Sequence, residues 1–132
     1  MIQNKHKAYT CCFTGHREIP PNHFDSVYQK TYDTIIYLIE NKGVKFFGVG
    51  GAIGYDTLAS DILFKIRDTL YPHIKIILVF PFEGFINKWN NDQKQHYYDL
   101  LPKYDKTVCV SSIPNRDAYF KRNRHLVDYS MY

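Results

Sequence analysis

The stretch that decides the fold is Lys45-Phe46-Phe47-Gly48-Val49-Gly50-Gly51-Ala52-Ile53-Gly54-Tyr55-Asp56, a short apolar strand that runs through a glycine turn into a helix. Its glycines at positions 50, 51 and 54 remove three Cβ atoms where the chain reverses, so backbone N–H groups can approach a ligand closely. The first turn of the following helix offers unpaired N–H groups and a partial positive charge, which suit a phosphate. The turn lacks both the Gly-x-Gly-x-x-Gly fingerprint and the Lys-Ser/Thr of a P-loop, so a tight turn without any ligand stays open as an alternative.

Strand-like and helix-like segments alternate on both sides of this turn. Residues 8–13, 75–80 and 106–110 read as further strands, and helical spacing of apolar residues predicts helices over residues 22–42, 55–70 and 88–101 and from near Asn115 onward. Asn22 is a plausible N-cap of the first helix, and Gly43 is suited to end it. This alternation predicts one α/β domain over residues 1–132, with a polar lead-in at 1–7. We expect a Rossmann-like, three-layer parallel sheet of at least four strands with helices on both faces.

Charge, cysteine content and hydropathy limit the kinds of ligand, metal site and cellular location that we expect for this chain. A formal net charge of +4 favours an anionic ligand but falls short of the dense basic surface that makes nucleic acid the default partner. Cys11, Cys12 and Cys109 form neither a disulfide framework nor a zinc-binding spacing, so we predict no metal site, no cofactor and a reducing compartment. The sequence shows no signal peptide and no apolar run of membrane-spanning length, which predicts a cytoplasmic protein without a membrane partner.

The carboxyl ends of parallel strands meet at one edge of a sheet, and ligands bind there, where the strand order reverses. Residues 14–17, 50–56, 81–84 and 111–112 follow the four predicted strands and should line that edge. Arg17 comes directly after the strand end and is placed to bind a phosphate or carboxylate with its forked guanidinium, and His16 is a candidate acid or base. The alternative is that Arg17 pairs with Glu18 and that His16 is simply exposed.

Two carboxylates in these exits have more than one interpretation. Asp56 either caps the helix after the glycine turn or binds a ribose hydroxyl, and capping is the simpler role. Glu83 is a candidate nucleophile or base on a glycosidic bond, but no second carboxylate stands at a recognisable spacing, so a solvated side chain is the default. Glu83 and His16 are therefore only weak catalytic candidates.

The last predicted helix has an apolar stripe of Tyr119, Phe120, Leu126 and Val127, and Asn123 falls in its middle. A buried amide needs partners, so either Asn123 bonds a neighbouring backbone or it reaches the sheet edge together with Arg122 and holds the ligand. Residues 116–125 contain four cations against one Asp, which is an electrostatic trap for anions. In the preceding helix, the side chains of Trp89, Gln93 and Tyr97 form either a base-stacking floor or part of the core.

Several of these segments, taken in order, resemble the YpsA-like branch of the SLOG superfamily, which is named for Smf/DprA and the Lonely guy enzymes. They are Phe13-Thr14-Gly15-His16-Arg17, the turn at residues 50–56, Pro81-Phe82, Trp89 and Lys121-Arg122-Asn123-Arg124. The resemblance implies a Rossmann-like fold whose strand-exit loops bind nucleotides or nucleotide-derived ligands. The chain lacks the Pro-Gly-Gly-x-Gly-Thr-x-x-Glu loop of the Lonely guy enzymes. It also lacks the further strand and Gly-Gly-Thr turn with which YpsA-like proteins continue, so it looks shortened at its C-terminus.

We therefore predict a domain that binds a nucleotide or nucleotide-derived phosphorylated ligand, as a sensor or a sequestering protein. The alternatives are a hydrolase of nucleotide N-glycosidic bonds and a binder of single-stranded nucleic acid, as the DprA-like proteins are. An exposed sheet edge would favour a homo-oligomer. The candidate ligand-binding residues are Thr14, Gly15, His16, Arg17, Gly50, Gly51, Ala52, Gly54, Asp56, Pro81, Phe82, Glu83, Arg122 and Asn123.

Overall fold

A computed structural model describes residues 6–15 and 18–132. Within them, four parallel strands pair in the order β1-β2-β3-β4, and helices follow the strands along the chain. The strands are β1 (Thr10–Phe13), β2 (Phe46–Val49), β3 (Lys75–Phe80) and β4 (Lys106–Cys109), and the helices are α1 (Phe24–Lys42), α2 (Tyr55–Thr69), α3 (Asn91–Leu100) and α4 (Arg116–Asp128). The predicted Rossmann-like α/β fold is confirmed.

The alternation of side chains along β2 shows how the layers are built. Phe47 and Val49 are fully buried in the core that α1 and α2 share with the sheet. Gly48 points to the other face. There, a Cβ on Gly48 would lie 3.0 Å from Leu126 Cδ2 of α4. Helices therefore cover both faces, and the missing side chain at Gly48 lets α4 approach the centre of the sheet.

Two predicted helix starts are wrong. The expected N-cap Asn22 lies within a short 3-10 turn, Pro21–His23, and α1 begins only after it. The third helix begins at Asn91, because Asn90 forms a capping box: its Oδ1 accepts the Gln93 N–H at 2.8 Å, and Gln93 Oε1 accepts the Asn90 N–H at 3.1 Å. Trp89 therefore precedes α3, and the apolar periodicity extends past the residues that fix the start of this helix.

The chain returns to β1 after α4. The N–H groups of Met131 and Tyr132 donate to Thr10 O at 3.0 and 3.2 Å, and the Cys12 N–H donates to Tyr132 O at 3.1 Å. This is the pattern of a parallel pair centred on Cys11. Strands β1 to β4 follow one another without a reversal, so the expected reversal of strand order falls between β1 and this final segment.

Candidate functional site

A cleft of about 600 Å³ opens where β2 and β3 end. Its walls come from the glycine turn before α2, from the loop between β3 and α3, and from the inner side of α4. The residues that line it include Ala52, Ile53, Phe82, Lys88, Trp89 and Arg122.

The glycine turn is packed too tightly for side chains. Gly51 and Gly54 have φ angles of 76° and 85°, in the left-handed region that favours glycine. At Gly50 the restriction is space, since a Cβ there would lie 2.9 Å from Asp56 Oδ2 and 3.1 Å from Arg122 Cδ. The turn is thus held closely between Asp56 of α2 and Arg122 of α4.

Arg122 is 7% exposed and joins α4 to the turn. Its Nη1 donates to Gly50 O at 2.7 Å and its Nε donates to Asn123 Oδ1 at 2.9 Å. The guanidinium carbon also lies 5.7 Å from the centre of the Tyr119 ring. Arg122 therefore holds the glycine turn in place through its hydrogen bond to Gly50 O, and it also lines the cleft.

The predicted orientation of α4 is wrong by about one residue. Ala118, Arg122 and Leu126 form its buried face, whereas Asn123 is exposed and its Oδ1 accepts the hydrogen bond from Arg122 Nε. Phe120 and Val127, expected in the apolar stripe, are 64% and 59% exposed. The outer face of α4 also carries Arg116, Lys121 and Arg124, which are exposed.

Asp56 is buried behind the turn. Its Oδ2 accepts the Ala52 N–H at 3.2 Å, and its Oδ1 has no hydrogen-bond partner among residues 6–15 and 18–132. Burial raises the pKa of Asp56 from 3.8 to about 6, although the Ala52 N–H and the Arg122 charge act in the opposite direction. The expected N-cap role is wrong: Gly54 is the N-cap of α2, and the Asp56 carboxylate binds an amide that precedes the helix.

The remaining predicted residues do not all meet at the cleft. Thr14 and Gly15 line a separate hollow of about 280 Å³ beside Tyr55, and His16 and Arg17 lie outside the described residues. Pro81 is buried, and Phe82 lines the cleft. Glu83 is exposed and lines a third hollow, of about 410 Å³, near Cys109. The structure thus brings together Ala52, Phe82 and Arg122, with Gly50 and Asp56 directly behind them.

Sequence reasoning missed several residues that line the cleft, among them Asn87, Lys88 and Tyr119. The third helix predicted from the sequence includes Lys88. The Asn90/Gln93 capping box is the signal that would have moved Lys88 and Trp89 into the preceding loop. Trp89 itself is half-buried, and its ring packs edge-on against Phe85 at 5.6 Å and Tyr97 at 5.9 Å. It belongs both to an aromatic cluster and to the wall of the cleft.

In residues 6–15 and 18–132, no group of three or more His, Cys, Asp or Glu side chains is arranged to hold a metal ion. No helix in this part of the chain combines the length and the apolar character needed to cross a membrane.

Comparison with known proteins gives a consistent family assignment. The model of the YspA SLOG family matches residues 11–132. A UPF0398 protein of Shouchella clausii is 30% identical over 98 residues, covering 67% of this chain and 52% of the relative. UPF0398 proteins of Halalkalibacterium halodurans and Lacticaseibacillus casei are each 26% identical, over 94 and 107 residues, covering 70% and 76% of this chain and 49% and 56% of the relatives. The chain spans about half the length of the curated relatives that it matches.

Proposed function

Because this chain belongs to the YspA SLOG family, we propose that it binds a nucleotide or a nucleotide-derived phosphorylated ligand in the cleft beside the glycine turn. The observation that carries the proposal is the meeting of three features in one concave space: the glycine turn at Ala52 and Ile53, the cation of Lys88, and the aromatic ring of Trp89. A cleft of about 600 Å³ is within the usual size of a small-molecule site.

The phosphate end of the ligand lies against the glycine turn and Lys88. The first turn of α2 has N–H groups without partners inside the helix, and the helix dipole adds partial positive charge there. Lys88 is exposed and free to turn toward an anion at the mouth of the cleft. Arg122 adds positive charge at the wall of the cleft while its Nη1 remains hydrogen-bonded to Gly50 O.

The sugar lies along the aromatic part of the cleft. Phe82 and Tyr119 pack edge to face at 5.6 Å, and Trp89 lines the same space. Aromatic rings of this kind bind a sugar face by stacking.

The test is isothermal titration of the whole chain with ribose 5-phosphate and with nucleoside mono-, di- and triphosphates. We expect at least one of them to bind, and Lys88→Gln to weaken that binding about tenfold, as the loss of one charge-assisted contact predicts. Lys65→Gln is the matched control, because Lys65 is an exposed cation of α2 that does not line the cleft. Binding that is absent for the whole panel, or equal in the Lys88→Gln and Lys65→Gln variants, would overturn the proposal.

A further inference from the structure

A second space adjoins the cleft at Trp89. This is a groove of about 580 Å³ between α2 and α3, and Ile53, Trp89 and Gln93 line both spaces. A ligand held at the glycine turn therefore lies next to the groove.

The groove and the cleft have opposite charge. Lys88 and Arg122 line the cleft, whereas the described residues of the groove include Asp61, Asp92 and Glu18 and neither Lys nor Arg. Between these carboxylates the walls are largely apolar and aromatic, with Leu58, Tyr97 and Tyr104 among them. A molecule that fits both spaces has an anion at one end and, at the other, a flat apolar group that donates hydrogen bonds.

Asp61 is the carboxylate best placed to accept such a hydrogen bond. It lies on α2 and is partly buried, and burial raises its pKa while His96 counteracts this. Its Oδ2 lies 3.3 Å from His96 Nε2 of α3, and in the described chain Oδ1 has no hydrogen bond. Tyr104, opposite, is already engaged, because its hydroxyl lies 2.8 Å from Ser60 Oγ.

We propose, on the basis of the nucleotide site above, that the groove holds the base of the ligand and that Asp61 accepts a hydrogen bond from an exocyclic amino group of that base. A six-amino purine such as adenine meets this requirement. Hypoxanthine has the same shape but presents a carbonyl oxygen in place of the amino group. That oxygen would face the carboxylate in the position of the amino donor, and the N1–H of hypoxanthine points in a different direction. A site built for a donor at that position rejects such an analogue strongly.

The experiment titrates the whole chain with AMP, IMP and ribose 5-phosphate by calorimetry. In the unaltered protein, AMP is expected to bind at least tenfold more tightly than IMP. In Asp61→Asn the ratio falls to about one, because the side-chain amide donates to the carbonyl as readily as it accepts from the amine. Ribose 5-phosphate binds equally to both proteins, since it does not reach the groove.

Asp68→Asn is the matched control, because Asp68 is an exposed carboxylate of the same helix that lies outside the groove. It should keep the AMP preference of the unaltered protein. Equal binding of AMP and IMP by the unaltered protein, or equal weakening of AMP and ribose 5-phosphate by Asp61→Asn, overturns the assignment of the groove but leaves the phosphate site standing. If neither ribose 5-phosphate nor any nucleotide binds, the proposed function and this inference fall together.

Discussion

Gly50, Asp56 and Arg122 constrain one another closely. The Gly50 carbonyl accepts a hydrogen bond from Arg122, and the missing Gly50 side chain leaves room for the Asp56 carboxylate. Charging this carboxyl is costly, because it is buried and one of its oxygens has no hydrogen-bond partner in the part of the chain that the structure describes. The folded protein therefore keeps a proton on Asp56 up to about pH 6, whereas the unfolded chain releases it near 3.8.

This difference predicts how Asp56→Asn alters the pH dependence of stability. Because the folded state binds the proton more tightly, the free energy of unfolding of the unaltered protein falls as the pH rises from about 4 to about 6 and stays lower above that. A shift of this size corresponds to about 2–3 kcal/mol. In Asp56→Asn that part of the pH dependence should disappear, which urea denaturation at pH 4, 5, 6 and 8 measures.

Asp25→Asn is the control for this measurement. Asp25 is the second residue of α1, as Asp56 is of α2, but it is exposed. Its replacement should leave the fall in stability between pH 4 and 6 unchanged. The comparison uses the slope and not the absolute stability, because Asp56→Asn also changes the contact with the Ala52 N–H, and above about pH 6 it removes a negative charge near the buried Arg122. An unchanged slope in Asp56→Asn would contradict the interpretation of this carboxyl.

At the scale of elements, α4 shows what periodicity alone cannot decide. Its apolar residues do not form one clean stripe, and the buried face includes Arg122, a residue type that sequence patterns place outside. Arg122 is buried because Gly50 O and Asn123 Oδ1 accept its hydrogen bonds, and the first of these partners is 72 residues away. The existence of α4 and its start after Asn115 were predictable from the sequence, but its rotation depended on that distant contact.

The close approach of α4 to the sheet predicts a coupling between Gly48 and Leu126. In Gly48→Ala the new Cβ meets Leu126 Cδ2 at 3.0 Å, so the free energy of unfolding should fall by about 1 kcal/mol. In a Leu126→Ala background the same change should cost nothing, because the space is free and alanine suits a strand better than glycine does. A double-mutant cycle by urea denaturation measures the coupling, and additive effects would mean that α4 does not rest on Gly48.

At the scale of the whole molecule, the sequence predicted the parallel sheet and the shared edge of its strand exits. It did not predict that the exits divide among several hollows. Thr14 and Gly15 are separated from the cleft because Tyr55 fills the space beside Gly15, where an added Cβ would lie 2.4 Å from the ring. Glu83 faces the end of β4 instead of the glycine turn. Such divisions depend on which large side chains occupy the gaps between loops, and spacing along the chain carries little information about this.

The return of the chain to β1 is the feature of the whole molecule most open to direct measurement. Side chains and hydrogen-bonding groups alternate along a strand, so the Cys12 N–H and Thr10 O face the final segment, while the odd-numbered residues of β1 face β2. Deleting Met131 and Tyr132 removes the acceptor of the Cys12 N–H. We expect amide exchange at Cys12, followed by NMR, to accelerate at least tenfold, while the amides of Cys11 and Phe13 stay protected by β2. Tyr132→Ala keeps the backbone carbonyl and should leave Cys12 as slow as in the unaltered protein. If Cys12 exchanges equally slowly without the two residues, the parallel pairing of the final segment with β1 does not form in solution.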